Sequence, residues 1–320
     1  MSQSPEHLAA PGTPKAGARA AAPARIRSLV AVGDSFTEGL ADAYPGPGGP
    51  AGPFRGWADL VADHLAGQAA AEDAGAAGEP FRYANLAVRG KLIGQILRDQ
   101  VPPAALMGAD LVTLAGGLND IMRPGCDVEA VCADLVRCAD ILAAQSGTLV
   151  LFRSIDFSRR MKSGRRLVPK MARLSETVDQ AAGQYGAIVV DLGSARVFDD
   201  TRLWAPDRIH LSADGHRRVA AAVLEALGRP TGFDWRAPLA PRPEPNRLAR
   251  TGSDAVWLAA FLAPWIKRRL TGRSSGDGVA PKRPELTPLA PPTARPAGAA
   301  PAPAAPETSA ERADSSPAHD

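Results

Sequence analysis

Five short apolar runs, each followed by a stretch with helical spacing, constrain the fold of this chain more than any other feature. They are Arg27–Val32, Phe81–Asn85, Asp110–Ala115, Thr148–Arg153 and Ala187–Asp191. Segments such as Leu111-Val112-Thr113-Leu114 and Leu149-Val150-Leu151-Phe152 are apolar without alternation, which suits strands covered on both faces. Between them lie helical stripes: Trp57, Leu60, Val61, His64 and Leu65, then Val128, Val131, Leu135, Ile141 and Leu142. Arg173–Tyr185 and Gly215–Leu227 supply two more. Strand alternating with helix implies right-handed crossovers, so the pattern predicts an α/β fold with a five-stranded parallel sheet and helices on both sides.

The pattern runs from about Ile26 to Arg229, and 26–230 is expected to form one domain. Residues 1–25 are rich in Ala, Pro and Gly and lack aromatic residues; 271–320 also lack them and are dominated by Pro-Ala runs. Neither end can bury enough apolar surface to offset its ordering entropy, so both are expected to be disordered. Between lies a 231–270 extension. In Ser253–Leu270, Trp257, Phe261 and Trp265 recur at four-residue spacing and Lys267-Arg268-Arg269 follows. We read it as a helix docked on the body, kinked at Pro264, with peripheral contact to a membrane as the alternative.

The formal net charge is only +3, with charges interspersed, so composition gives no case for a nucleic-acid partner. The start lacks the basic-then-apolar pattern of a secretory signal and no apolar run is long enough to span a bilayer; a cytoplasmic location is the expectation. Cys126, Cys132 and Cys138 read as reduced structural thiols. The last two are expected ~9 Å apart along one helix on roughly opposite faces, too far for a disulfide. No Cys-x-x-Cys or His-rich cluster suggests a metal.

Three polar motifs fall after strands. Gly33-Asp34-Ser35 follows the first, Gly90 the second and Gly116-Gly117-Leu118-Asn119-Asp120 the third; Asp207-Arg208-Ile209-His210 comes near the end of the patterned region. In an open parallel sheet the carboxyl ends of the strands are where ligands bind. Ser35 is the candidate nucleophile, His210 its base and Asp207 the group that fixes the histidine tautomer. The backbone N–H groups of Ser35 and Gly90 and the Asn119 side-chain amide are candidate oxyanion donors. Singly, each motif has a plainer reading. Gly-Asp-Ser can be a turn with Asp34 or Ser35 as a helix cap, Gly-x-Asn-Asp an Asx turn, and Gly90 a left-handed backbone position. His216, behind Ser212 as N-cap, is read as packing or bonding locally.

Together, Gly33-Asp34-Ser35, the segment Asn85–Gly90, Gly117-Leu118-Asn119-Asp120 and Asp207-Arg208-Ile209-His210-Leu211 resemble the four blocks of the GDSL/SGNH hydrolase family, in order and with suitable spacing, across about Ile26 to Leu227. The resemblance implies a flavodoxin-like three-layer α/β/α sandwich. It also implies esterase, lipase or thioesterase chemistry without a cofactor, with Ser35 as nucleophile, Asp207 and His210 completing a triad, and Gly90 and Asn119 as oxyanion donors. Phe36 stands where many members have leucine. The expected partner is a small-molecule ester or acyl substrate, cleaved through an acyl-enzyme. Acyl transfer to another acceptor, or a non-catalytic binding module on the same fold, are the alternatives. Two loops are expected near the site: Asp42–Arg55, and Asp156–Lys170 with Arg159, Arg160, Lys162, Arg165 and Arg166. The second reads first as a solvated basic face, and otherwise as a guide for an anionic substrate.

Overall fold

The computed structural model describes residues 25–43, 54–73, 78–160, 162–241, 260 and 274–292. Most of the expected N-terminal segment, the middle of the Asp42–Arg55 loop, the Ser253–Leu270 helix apart from Ala260, and the tail from 293 onward lie outside the described residues.

In chain order the elements are β1 (Ser28–Gly33), α1 (Ser35–Glu38), α2 (Gly56–Glu72), β2 (Arg82–Asn85), α3 (Ile93–Asp99), α4 (Val101–Leu106), β3 (Leu111–Ala115), α5 (Leu118–Ile121) and α6 (Val128–Gln145). Then come β4 (Thr148–Arg153), α7 (Val168–Tyr185), β5 (Ile188–Asp191), α8 (Ala213–Ala226) and β6 (Arg283–Pro288). The sheet runs β5-β4-β3-β1-β2-β6. The first five strands are parallel, in the flavodoxin-like order that changes direction between β1 and β3.

Each of the five parallel strands serves two cores, which is why these runs are apolar without alternation. In β1, Leu29 and Ala31 pack under α2 and α8, while Val30 and Val32 pack under α3, α4, α6 and α7. The short helices α3 and α4 escaped the sequence reading because one or two turns carry too few apolar positions to display a period. The three cysteines are free, as expected. α6 packs against several neighbours, so Cys132 and Cys138 are both buried in the same core. Burial pushes the Cys138 thiol up to about 12.

The sheet has six strands, not five, and the sixth comes from the stretch expected to be a disordered tail. β6 pairs antiparallel with β2, with a register irregularity between Tyr83 and Asn85. Its sequence, Arg-Pro-Glu-Leu-Thr-Pro, carries two prolines, which an edge strand tolerates because half its N–H groups have no neighbour to meet. What holds it is long-range. The Arg82 guanidinium donates to Leu286 O at 2.7 Å, and Leu289 N–H donates to Phe81 O at 2.8 Å.

Just before the strand, the buried Lys282 ammonium donates to Glu38 O at 2.6 Å, Arg55 O at 2.7 Å and Asp59 Oδ2 at 2.5 Å. Lys282→Met is expected to destabilise the fold by about 3–5 kcal/mol, because it removes the cation from beside a buried carboxylate. Urea melts of the full chain check this; a loss under about 1 kcal/mol would show the segment to be weakly held.

Candidate active site

Three strand ends and one turn build the site. At the end of β1, Gly33 N–H donates to Gln100 Oε1 at 2.8 Å and Gly33 O accepts from Gln100 Nε2 at 2.9 Å. This buried amide fixes the point from which Ser35 departs. Asp34 caps the one-turn α1, accepting from Phe36 N–H at 3.0 Å, so Ser35 is the first helical residue. Phe36 fills a gap among aromatic rings, 5.5 Å from Trp57 and 5.7 Å from Phe152 between centroids.

The Asp207–His210 turn closes on Ser35. Arg208 adopts φ 62, a left-handed conformation uncommon for a residue with a Cβ, and this lets side chains three positions apart meet. Asp207 Oδ1 accepts from the N–H groups of Ile209 and His210, each at 3.0 Å. Asp207 Oδ2 lies 2.5 Å from His210 Nδ1, and His210 Nε2 lies 3.0 Å from Ser35 Oγ. Burial pushes the Asp207 carboxyl up, but the His210 side chain and the two N–H donors outweigh it and hold the group below the usual carboxylate range. An ionised carboxylate only accepts, so Nδ1 is the ring nitrogen that donates to Asp207, and Nε2 is the one that faces the serine hydroxyl.

The other expected donors surround Ser35. Among the described residues, neither the Ser35 N–H nor the Gly90 N–H donates to any partner. Asn119, in α5 behind Gly117, donates through Nδ2 to Asp34 Oδ2 and to Lys91 O, each at 3.1 Å. Asp34 is buried, and loss of hydration raises its carboxyl to about 6 despite the hydrogen bond from Phe36. Ser35, Gly90, Asn119, Asp207 and His210 all line one cavity of about 950 Å³. Phe36, Phe152, Ile155, Trp204, Leu118 and Met122 make much of its wall apolar.

His216 packs in the core as expected, but its hydrogen bonds run to residues distant in sequence rather than local ones, and it lies at the cavity wall. It is buried, accepts from Trp57 N–H at Nδ1 (3.3 Å) and donates from Nε2 to Leu40 O (3.4 Å); Ser212 caps α8. The basic loop is not a uniformly solvated face. Arg159 pairs with Asp156 and Asp199, Arg160 stacks 3.5 Å over Trp204, and Arg166 and Lys170 line the cavity. Burial pulls the Arg160 guanidinium down to about 10.

Sequence reasoning missed Gln100, Glu38 and the residues 274–276. Glu38 is buried, accepts from Arg89 N–H at 2.7 Å and pairs with the Arg89 guanidinium. A signal existed for it, since both charges sit inside otherwise apolar or glycine-rich motifs. Nothing in the sequence marks Gln100.

Among solved structures the fold is similar to LAE5, an alpha/beta hydrolase enzyme from the metagenome of Lake Arreo, Spain. The TM-score is 0.52 and the identity 22%, over 64% of this chain and 96% of that one. It is also similar to a catalytic mutant of Axe2, an acetylxylan esterase from Geobacillus stearothermophilus, with TM-score 0.50 and 21% identity over 65% and 95% of the two chains. At such identity the likeness speaks for the fold. A search of the curated proteins found no match. The model of the GDSL-like lipase/acylhydrolase family matches residues 31–218, a span that takes in every strand end and turn of the site. The chain therefore belongs to the GDSL-like lipase/acylhydrolase family and is a GDSL-type carboxylic ester hydrolase.

Proposed function

We propose that this protein cleaves small-molecule carboxylic esters or thioesters through a Ser35–His210–Asp207 triad and a covalent acyl-enzyme. The observation that carries the reading is the continuous contact from Asp207 Oδ2 through the imidazole to Ser35 Oγ, at 2.5 and 3.0 Å. Ser35 Oγ attacks the carbonyl carbon as His210 Nε2 takes its proton. The oxyanion is held by the N–H groups of Ser35 and Gly90 and by Asn119 Nδ2, which gives up one of its two present acceptors. Collapse expels the alcohol or thiol, protonated by His210. Water, deprotonated by the same nitrogen, then releases the acid and restores Ser35.

The apolar wall supports an acyl chain, rather than a strongly polar group, inside the cavity. Asn119→Ala is expected to lower kcat roughly 10²–10³-fold with KM little changed, because the lost donor acts mainly in the transition state. The test of the whole reading is hydrolysis of p-nitrophenyl esters, acetate through palmitate, beside labelling by a fluorophosphonate. A folded wild type that neither hydrolyses nor labels at Ser35 would refute it. Added alcohol acceptors distinguish hydrolysis from acyl transfer by the product formed.

A further inference from the structure

The family match ends at residue 218, yet the cavity beside Gly90 is also lined by Ser274 and Ser275. The peptide that carries the Gly90 N–H joins Arg89 to Gly90, and it is held from three directions. Before it, Arg89 N–H donates to Glu38 Oε2 at 2.7 Å. After it, the Gly90 carbonyl accepts from Ser274 Oγ at 3.4 Å. Against its own carbonyl lies Gly276, so close that a Cβ there would stand 2.0 Å from Arg89 O.

Gly90 itself has φ 74, and a Cβ there would come within 2.4 Å of Ser274 Oγ. Two glycines thus face each other's strands of chain because neither side has room for a methyl group. The turn that presents them is braced from within. Gly276 N–H donates to Ser274 Oγ at 3.2 Å and Ser274 N–H to Asp277 Oδ2 at 2.8 Å. A few residues on, Lys282 binds the Glu38 carbonyl at the end of the serine-bearing turn. One segment therefore grips both backbone elements that carry the candidate oxyanion N–H groups.

We propose that Ser274-Ser275-Gly276 is the back wall of the oxyanion site, with Ser274 and Gly276 as positioning residues that aim the Gly90 N–H. The role rests on the reading of Gly90 as an oxyanion donor. Its physical basis is the planar peptide: pushing on the Arg89 carbonyl swings the Gly90 N–H at the opposite end of the same rigid unit. An oxyanion donor works only within about 2.7–3.1 Å of the developing charge, and a misplacement of ~1 Å can cost ~10²-fold.

The experiment uses the full chain with Gly276→Ala and Ser274→Ala. It measures kcat and KM on p-nitrophenyl butyrate, active sites by fluorophosphonate titration, Tm, and inhibition by a trifluoromethyl ketone, whose hemiketal oxyanion would occupy the same site. Gly276→Ala is expected to lower kcat per titrated site by ~10²-fold, weaken the ketone in proportion and leave KM within about threefold. Ser274→Ala should do the same to a smaller extent, ~10-fold. A purely structural role would instead reduce Tm and the titrated fraction while kcat per site and ketone affinity stay at wild-type values, and that result overturns the proposal. If Gly276→Ala does not fold, Ser274→Ala decides on the same two readouts. A wild type inert to ester and fluorophosphonate removes the esterase reading and this role with it; an active wild type with unaltered variants removes this role alone.

Discussion

Ser35→Ala is expected to lower kcat by about 10⁶-fold, and Asp207→Asn by about 10⁴-fold, with both variants folding as the wild type does. The difference follows from the geometry. Without Ser35 Oγ there is no covalent path, and what remains is binding plus the oxyanion donors. With asparagine at 207, the side-chain amide can present its N–H to Nδ1, so the proton moves to Nε2 and faces Ser35 Oγ where a lone pair is needed. Asp207 Oδ2 lies 2.5 Å from Nδ1, while Oδ1 is held by two backbone N–H groups, so the carboxylate is fixed in the position that orients the imidazole. Because the three residues act as one unit, the double variant should lose no more than Ser35→Ala alone. Rates on p-nitrophenyl esters, with circular dichroism as the folding control, check both. A loss of only a few-fold in Asp207→Asn would leave a Ser–His dyad and make Asp207 a turn residue.

The second large effect is acid lability through His216. Burial lowers its pKa from 6.5 to about 3, against the opposing hydrogen bond to Leu40 and with help from Lys282, His210 and Arg55 nearby. The unfolded chain therefore takes up a proton that the native state refuses between those two values. The stability from this neutral imidazole is complete above pH 6.5 and is lost progressively as the pH falls toward 3. At about 1.4 kcal/mol per pH unit, the window amounts to roughly 5 kcal/mol. Asp34 works the other way. Its folded pKa of about 6 lies above the ordinary 3.8, so the native state gains roughly 3 kcal/mol as the pH falls across that narrower interval. Between pH 6 and 3.8 the two contributions nearly cancel, so the fold weakens chiefly below pH 3.8, and the net loss on reaching pH 3 is roughly 2 kcal/mol. Urea melts at pH 7 and 4.5 separate the two contributions. His216→Gln should remove the histidine's share, roughly 2.5 kcal/mol between these two pH values, and so make the variant more stable at pH 4.5 than at pH 7; an unchanged difference would place the acid sensitivity elsewhere.

How far the sequence reaches is clearest strand by strand. β1, β3 and β4 were legible because a strand covered on both faces is apolar at every position, and that signature is local. The site was legible for a related reason. A glycine turn after a strand, an Asn behind two glycines and an Asp-x-x-His pair are short-range patterns, and the parallel sheet delivers the first two to the same edge. Even Ser212 as the cap of α8 could be read from its neighbours.

Local pattern thus sufficed for the parallel α/β core, the placement of the motifs at the strand ends and the residue types able to carry acyl chemistry. Long-range contacts were needed to make Arg283–Pro288 a strand, to set Gln100 against Gly33, and to close Lys282 and Ser274-Ser275-Gly276 around α1 and Gly90. Arg-Pro-Glu-Leu-Thr-Pro has no strand propensity to read. It becomes a strand because the open edge of β2, some 200 residues earlier, offers backbone partners, and because Lys282 finds the carbonyls of Glu38, Phe54 and Arg55 and the buried Asp59 carboxylate beside it. Pairings of that kind depend on two distant segments at once, and neither segment's local pattern contains the other.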